Sequence, residues 1–301
     1  MGKPSRVPPT RGRSFVGRGG GVRRGCHTAS VRRYVTFDLE TVADEALVSA
    51  VDGEPTRSYG EALRRVLAAR RERTGGRSDF LPLPYHRPVA ACLLEAVEDG
   101  GVIGLTDVAA WTDREGGEAE FLARTWDRLA GAAVVTFHGK GFDIPVLELR
   151  SLKHAVPIPG WFAARRAGVI VEHHDLKEIL SAQGAASSAP LDLYAKLVGL
   201  PGKEGVAGAD VQALYAQGAR GRIAAYCMTD VEQTFLLFLR HRHVDGAITP
   251  DGYAESTAGF RERLSELFER RLSAEERAAL DGFVERCGPF FGEAERALGV
   301  G

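Results

Sequence analysis

The spacing of hydrophobic and polar positions changes period several times along the chain, and each change marks an element. VRRYVTFDLE (31–40) is rich in β-branched and aromatic residues and predicts a strand. EALVSAVDGEP (45–55) and the arginine-loaded EALRRVLAARRERTGGRSD (61–79) are helix-compatible. RPVAACLLEAVEDGGVIGLTDVAAW (87–111) predicts two strands around the turn Asp99-Gly100-Gly101. In EAEFLARTWDRLAG (118–131), Phe121, Leu122, Thr125, Trp126 and Leu129 recur at helical spacing. AAVVTFHG is an apolar run fit for a buried strand, broken by Gly139 and Gly141, and Asp143 then opens a helix that tolerates Pro145 in its first turn.

GVIVEHHDLKEIL (168–180) predicts a further strand. Helical segments follow: LDLYAKLVGL, a glycine-rich loop PGKEGVAGAD, VQALYAQ and the long GRIAAYCMTDVEQTFLLFLRHR. Beyond Ile248 lies a helical appendix of two segments (259–287). No internal repeat is present. Strand, hairpin, helix, strand, helix, strand and then helices make an α/β domain with a mixed sheet.

Composition adds limits. Of 301 residues, 44% are apolar and 26% charged, as in an ordinary globular protein. No apolar run approaches the roughly 20 residues of a membrane span, and no apolar segment of a secretory signal exists. Cys26, Cys92, Cys227 and Cys287 are far apart and form no CxxC pair, which suggests neither a zinc site nor a disulfide framework, so a cytoplasmic location is expected. The net charge of −1 hides an asymmetry: residues 1–33 hold nine basic residues and no acid, leaving 30 basic against 40 acidic in the remainder. Residues 1–32 are expected to be a disordered Arg/Gly-rich tail. Such a tail could grip phosphates or act as a transit peptide, or translation could start nearer Val31.

The candidate chemistry begins in FDLETV. A strand alternates faces with period two, so Asp38 and Glu40 point the same way. In water the pair is harmless; on a buried strand it demands a cation. Asp143 stands where a helix opens, a place where an Asp alone is an ordinary N-cap. Tyr226 and Asp230 are one turn apart on one face of the long helix, with Ile223, Val231, Phe235 and Leu236 around them. An Asp is no favoured helix former there, so a partner must justify it.

Taken together, FDLETV, TFHGKGFDIPVLELR, HHDL, the PGKEG loop and YCMTDVEQT resemble the DEDD exonuclease superfamily. They are similar to the bacterial group described as 3′–5′ exonucleases related to the proofreading domain of family B DNA polymerases. The likeness spans roughly residues 34–240 and leaves out the tail, the appendix and the arginine-rich stretch, which looks like an insertion. Position 225 is Ala and position 226 is Tyr, which is similar to the Tyr-bearing branch. The resemblance implies a ribonuclease H-like fold: a mixed five-stranded sheet flanked by helices, over residues 33–245, with a C-terminal helical extension at 246–301. It implies two Mg²⁺ or Mn²⁺ ions on Asp38, Glu40, Asp143 and Asp230, with Tyr226 orienting the attacking water. Hard oxygen ligands suit these ions. Thr41 and Lys203 are candidates for substrate contact, against the plainer roles of strand-end Thr and solvated Lys. Asp175 is expected to be structural or to support the site from behind.

The expected activity is removal of nucleotides from the 3′ end of single-stranded DNA as 5′-monophosphates, with RNA as the alternative substrate. A binding module that lost turnover is a further alternative, though clustered negative charge would serve a phosphate binder poorly. GKGFDI lacks the third small residue of a dinucleotide turn, and GLPGKEG lacks the hydroxyl of a P-loop, so neither carries weight. The appendix (Leu264, Leu267, Phe268, Leu272, Leu280, Phe283) would cap the domain or recruit a protein partner.

Overall fold

The computed structural model describes residues 31–166, 172–203, 208–280 and 282–297. The expected tail and the first residues of the 168–180 strand lie outside the described residues, apart from Val31 and Arg32 at the tail's end. Five strands form one sheet: β1 (Arg32–Ala43), β2 (His86–Asp99), β3 (Val102–Thr112), β4 (Ala133–Thr136) and β5 (His173–Asp175), in the order β3-β2-β1-β4-β5. β1, β2 and β3 are antiparallel, whereas β4 runs parallel to β1 and β5 parallel to β4. This is the mixed sheet of a ribonuclease H-like α/β fold.

Thirteen α-helices are described: α1 (Glu45–Asp52), α2 (Tyr59–Arg73), α3 (Gly117–Leu129), α4 (Asp143–His154), α5 (Pro159–Arg166), α6 (Leu176–Leu180), α7 (Leu191–Leu197), α8 (Val211–Ala216), α9 (Arg220–Val244), α10 (Pro250–Arg271), α11 (Ala274–Leu280), α12 (Phe283–Arg286) and α13 (Gly288–Ala297). The β2–β3 hairpin turns on Gly100 and Gly101, both at positive φ, as a two-residue turn of that twist requires. Helix α3 buries Phe121, Leu122, Thr125, Trp126 and Leu129, the face its spacing predicts. The strand expected at 168–180 keeps only three described residues, because Asp175 accepts from Lys177 N and Glu178 N and turns the chain into α6. The appendix holds four helices rather than two; Pro250 at its first position and the Thr249 cap start it earlier than the apolar spacing shows. No described helix is long and apolar enough to cross a membrane.

Period-two alternation on β1 divides the core. Val35, Phe37 and Leu39 pack with Phe121, Leu122, Trp126 and Leu147 under α3 and α4. Tyr34 joins the opposite layer with Phe235, Phe238 and Leu239 of α9. Leu264, Leu267, Phe268, Leu272, Leu280 and Phe283 of the appendix are buried in that same layer. A smaller cluster, Val48, Ala62, Val66 and Leu81, ties α1 and α2 to the end of β1.

Two contacts fix how these layers dock. Arg150 of α4 is 2% exposed; it gives its Nη1 to Asp44 Oδ2 at 2.5 Å and clasps Glu118 of α3 through Nε and Nη2. Those pairs hold Asp44 down to about 2: burial pushes its carboxyl up, but the Lys153 and Arg150 hydrogen bonds and the Leu47 N–H outweigh it. On the other side Gly252 of α10 lies against the β2–β3 turn, where a Cβ would come 2.3 Å from Gly101 O. Arg150→Met removes the partner that Asp44 and Glu118 share, leaving Lys153 with the first and His154 with the second, and should lower stability by about 3 kcal/mol in urea unfolding. Gly252→Ala should lower it by about 1–3 kcal/mol by prising α10 off the hairpin, while Gly259→Ala, with open space around its Cβ position, should not.

Candidate active site

The site forms where the sheet changes direction. β4 pairs with β1 only over Tyr34, Val35 and Thr36, so from Phe37 onward β1 has no neighbour on that edge. On its other edge β1 continues beside β2, with a register shift between Glu40 and Thr41. A shift of this kind re-aims side chains, and it sits immediately after the two carboxylates. The crevice beyond the carboxyl ends of adjacent parallel strands is where open α/β sheets place their ligands.

Asp38 and Glu40 share the β1 face that meets α9. Ligand oxygens of Asp38, Glu40 and Asp230 all lie within 4.8 Å of one another. Glu40 is 9% exposed and Asp230 7%, while Asp38 keeps partial access to solvent. Asp143 approaches from the free edge of β1: its Oδ1 accepts the Leu39 N–H at 3.1 Å, taking the backbone donor that no strand satisfies. The plain expectation of an N-cap does not hold, since the helix opens on Asp143 itself and its carboxylate reaches back to the strand. The structure thus brings together all four carboxylates that the sequence singles out.

Lys203 is not a solvated lysine. Its Nζ lies 2.9 Å from Asp230 Oδ2, donates to the Tyr226 hydroxyl, and stands 4.7 Å from that ring's centroid. Asp192 holds the loop in place, its Oδ1 accepting Lys203 N at 2.7 Å. Gly202 must be glycine for this: φ is +76°, and a Cβ would sit 2.4 Å from Asp192 Oδ1. Thr41 donates to His86 Nδ1 across 2.9 Å, because His86 Nε2 is engaged with Leu81 O. Its hydroxyl hydrogen is therefore committed within the protein, while its oxygen can still accept. Asp175 fills a structural role, accepting His138 N at 2.8 Å and Lys140 N at 3.0 Å and so shaping the turn that delivers Asp143.

The electrostatics follow from burial. It pushes Asp38 well up, and the charges of Asp143, Glu40 and Asp230 push further, with Lys203 opposing. Burial also raises Glu40, aided by Asp230, and raises Asp230 against the pull of Lys203. Asp143 is pushed up to about 7 by burial, restrained by backbone N–H groups. Four carboxylates thus face one ammonium, and Asp230 Oδ1 is buried without a hydrogen-bond partner. A crowded set of hard oxygens, short of positive charge and holding an orphaned acceptor, fits Mg²⁺ or Mn²⁺.

Residue spacing misses several participants. Cys227 stands beneath Asp38, its Sγ 3.6 Å from Asp38 Oδ2 and 3.4 Å from Asp38 O. Cys92 of β2, paired with Asp38 in register, donates to Ala224 O of α9 at 3.2 Å, so two cysteines that are distant in sequence come together as free thiols in the floor of the site. The period-two alternation of β2 could have placed Cys92 on this face. Nothing in the sequence marks Asp192, which acts only through the loop it clamps. Lys203→Met should lower the melting temperature in EDTA by several degrees, because it leaves the carboxylates with no cation. Added Mn²⁺ should close most of that gap, and an equal deficit with and without metal would show the lysine to be mere packing.

Comparison with known proteins gives one result that bears on this geometry. No curated protein matches the chain. The model of a family described as predicted 3′–5′ exonucleases related to the exonuclease domain of PolB matches residues 78–286. That stretch carries Asp143, Tyr226 and Asp230 and runs on through α10 and α11, further than the resemblance in the sequence motifs reaches; it begins after β1 and α2. The match covers more than half of the chain, so this protein belongs to the family of predicted 3′–5′ exonucleases related to the exonuclease domain of PolB.

Proposed function

We propose that the protein is a divalent-metal-dependent 3′–5′ exonuclease acting on single-stranded DNA, with Asp38, Glu40, Asp143 and Asp230 as metal ligands. The observation that supports this most is the clustering of Asp38, Glu40 and Asp230 oxygens within 4.8 Å, beside Asp143 held against the β1 backbone. Asp38 is central, next to Glu40 on its own strand and under the charge of Asp143 and Asp230. Two ions bound there would supply activation of water and neutralise charge on the leaving oxygen.

The rest of the chemistry falls to the chain. Water attacks the terminal phosphorus, a P–O bond forms, the bond to the 3′-oxygen breaks, and a proton passes to that oxygen. The products are a nucleoside 5′-monophosphate and a shortened strand with a new 3′-hydroxyl. Tyr226, whose hydroxyl is ordinarily protonated near neutrality, directs the water by hydrogen bond rather than abstracting its proton. Lys203, between Tyr226 and Asp230, brings positive charge to where a phosphate must approach a negative site. The backbone of Thr41 and its free lone pairs face the terminal nucleotide. DNA is preferred over RNA because the family is related to a polymerase's exonuclease domain.

The test is degradation of 5′-labelled single-stranded DNA and RNA of one sequence with Mg²⁺, Mn²⁺ or EDTA. The wild type should give a 3′-shortening ladder only with metal, and faster on DNA. Asp38→Asn should cut the rate by about 10³-fold and, by removing one like charge, raise the melting temperature in EDTA by ~3 °C. A ladder that survives in EDTA or in the variant would remove the metal-carboxylate mechanism. A faster ladder on RNA would reassign the sugar.

A further inference from the structure

The segment between β1 and β2 contributes no carboxylate to the site, yet it sits on the rim. Tyr59 donates to Ala43 O at 3.0 Å, placing α2 three residues beyond Glu40. Residues 57–77 carry seven arginines against two glutamates, on a chain whose portion from 34 to 301 has ten more acids than bases. Arg57 and Arg65 are paired with Asp52. Among the described residues Arg64, Arg70, Arg71, Arg73 and Arg77 have no ion pair, and Glu72 is the only acid among the last four. Three of these are oriented by the backbone: Arg70 Nε donates to Phe80 O at 3.0 Å, Arg73 Nε to Ala69 O at 3.4 Å, and Arg77 Nε to Thr74 O at 2.9 Å. Their terminal nitrogens remain available to an outside acceptor.

Phe80 follows directly. It is 56% exposed, yet it is not loose: its ring lies 4.9 Å from His86 and 5.8 Å from Phe142, and those two rings meet edge-on at 4.9 Å. His86 is bonded to Thr41, the neighbour of Glu40, and Phe142 precedes Asp143. An aromatic face braced beside the carboxylates, with unpaired arginines behind it, has the two elements that hold single strands: a stacking surface for any base and cations for the phosphates. A nuclease with an acidic body repels its substrate at long range, so a local basic arm is where a strand would be captured.

We infer that the β1–β2 insertion is a single-strand-binding arm: a base of the incoming strand stacks on Phe80 while its phosphates lie along Arg70, Arg73 and Arg77, leading to the carboxylates. The inference builds on the proposed exonuclease for the direction of the strand. Helix α2 precedes the stretch matched by the family, and Phe80 lies within it.

Binding in EDTA tests the arm without requiring turnover. The full-length protein is titrated into a 5′-fluorescein-labelled 20-mer of dT from 50 to 300 mM salt, followed by anisotropy. Arg70→Gln/Arg73→Gln/Arg77→Gln should weaken binding at least tenfold at 50 mM and flatten the log–log salt slope by about 2, the share of three phosphate contacts to a single strand. Phe80→Ala should weaken it by roughly tenfold with an unchanged slope. The matched control Arg261→Gln/Arg263→Gln/Arg270→Gln on α10 should stay within twofold of wild type. Melting curves establish that each variant is folded, and the arginine triple carries the test if Phe80→Ala is not. An arginine triple with wild-type affinity and slope, an equal loss in the α10 control, or no binding by the wild type would overturn the inference. A missing 3′-shortening ladder from protein that binds through the arm would instead overturn the exonuclease and leave the arm standing.

Discussion

The structure turns on the repulsion among carboxylates at the end of β1. Asp38 and Glu40 share a strand face, and the fold adds Asp230 from α9 and Asp143 from α4 without supplying matching positive charge. Among the described residues a single ammonium, Lys203, opposes them. Burial limits screening by water, so the fold holds like charges together that a bound cation or a proton relieves. Much of the surrounding architecture keeps these four groups from moving apart.

Each carboxylate is braced by an element that has another task. β1 is central and cannot shift without breaking both halves of the core. Helix α4 is pinned by the Arg150 pairs to Asp44 and Glu118, and Asp175 shapes the turn that precedes it. Helix α9 is buried from Ile223 to Leu239 except at Thr229, so Asp230 cannot retreat toward solvent. The appendix covers the far side of α9, and its apolar residues complete that layer. Rigid supports of this kind let like charges stay close without collapse of the site.

The arm and the site divide the electrostatic work in opposite senses. The carboxylates would repel a phosphate, and the acidic body would too. Lys203 moderates this at short range, while the arginines of α2 act over the distance from which a strand approaches. Phe80 bridges the two regions, braced by rings whose neighbours are the residues flanking Glu40 and Asp143.

The strands, the hairpin turn, the buried face of α3 and the sheet class were legible because each depends on local period and on glycine at turns. Asp38, Glu40, Asp143, Tyr226 and Asp230 stand out as members of a familiar order of motifs rather than from spacing alone, and the fold brings the four acids together. Local pattern thus accounts for this set of elements and for the unusual placement of acids within apolar segments. The company those acids keep comes from the packing of distant segments. Asp143 bonds the backbone of Leu39 because β4 ends early; Lys203 enters the site because Gly202 and Asp192 bend its loop; Cys92 and Cys227 meet because β2 and α9 cross behind Asp38. These partners lie from eleven to more than a hundred residues apart, and local propensity carries no information about which distant segments will share a face.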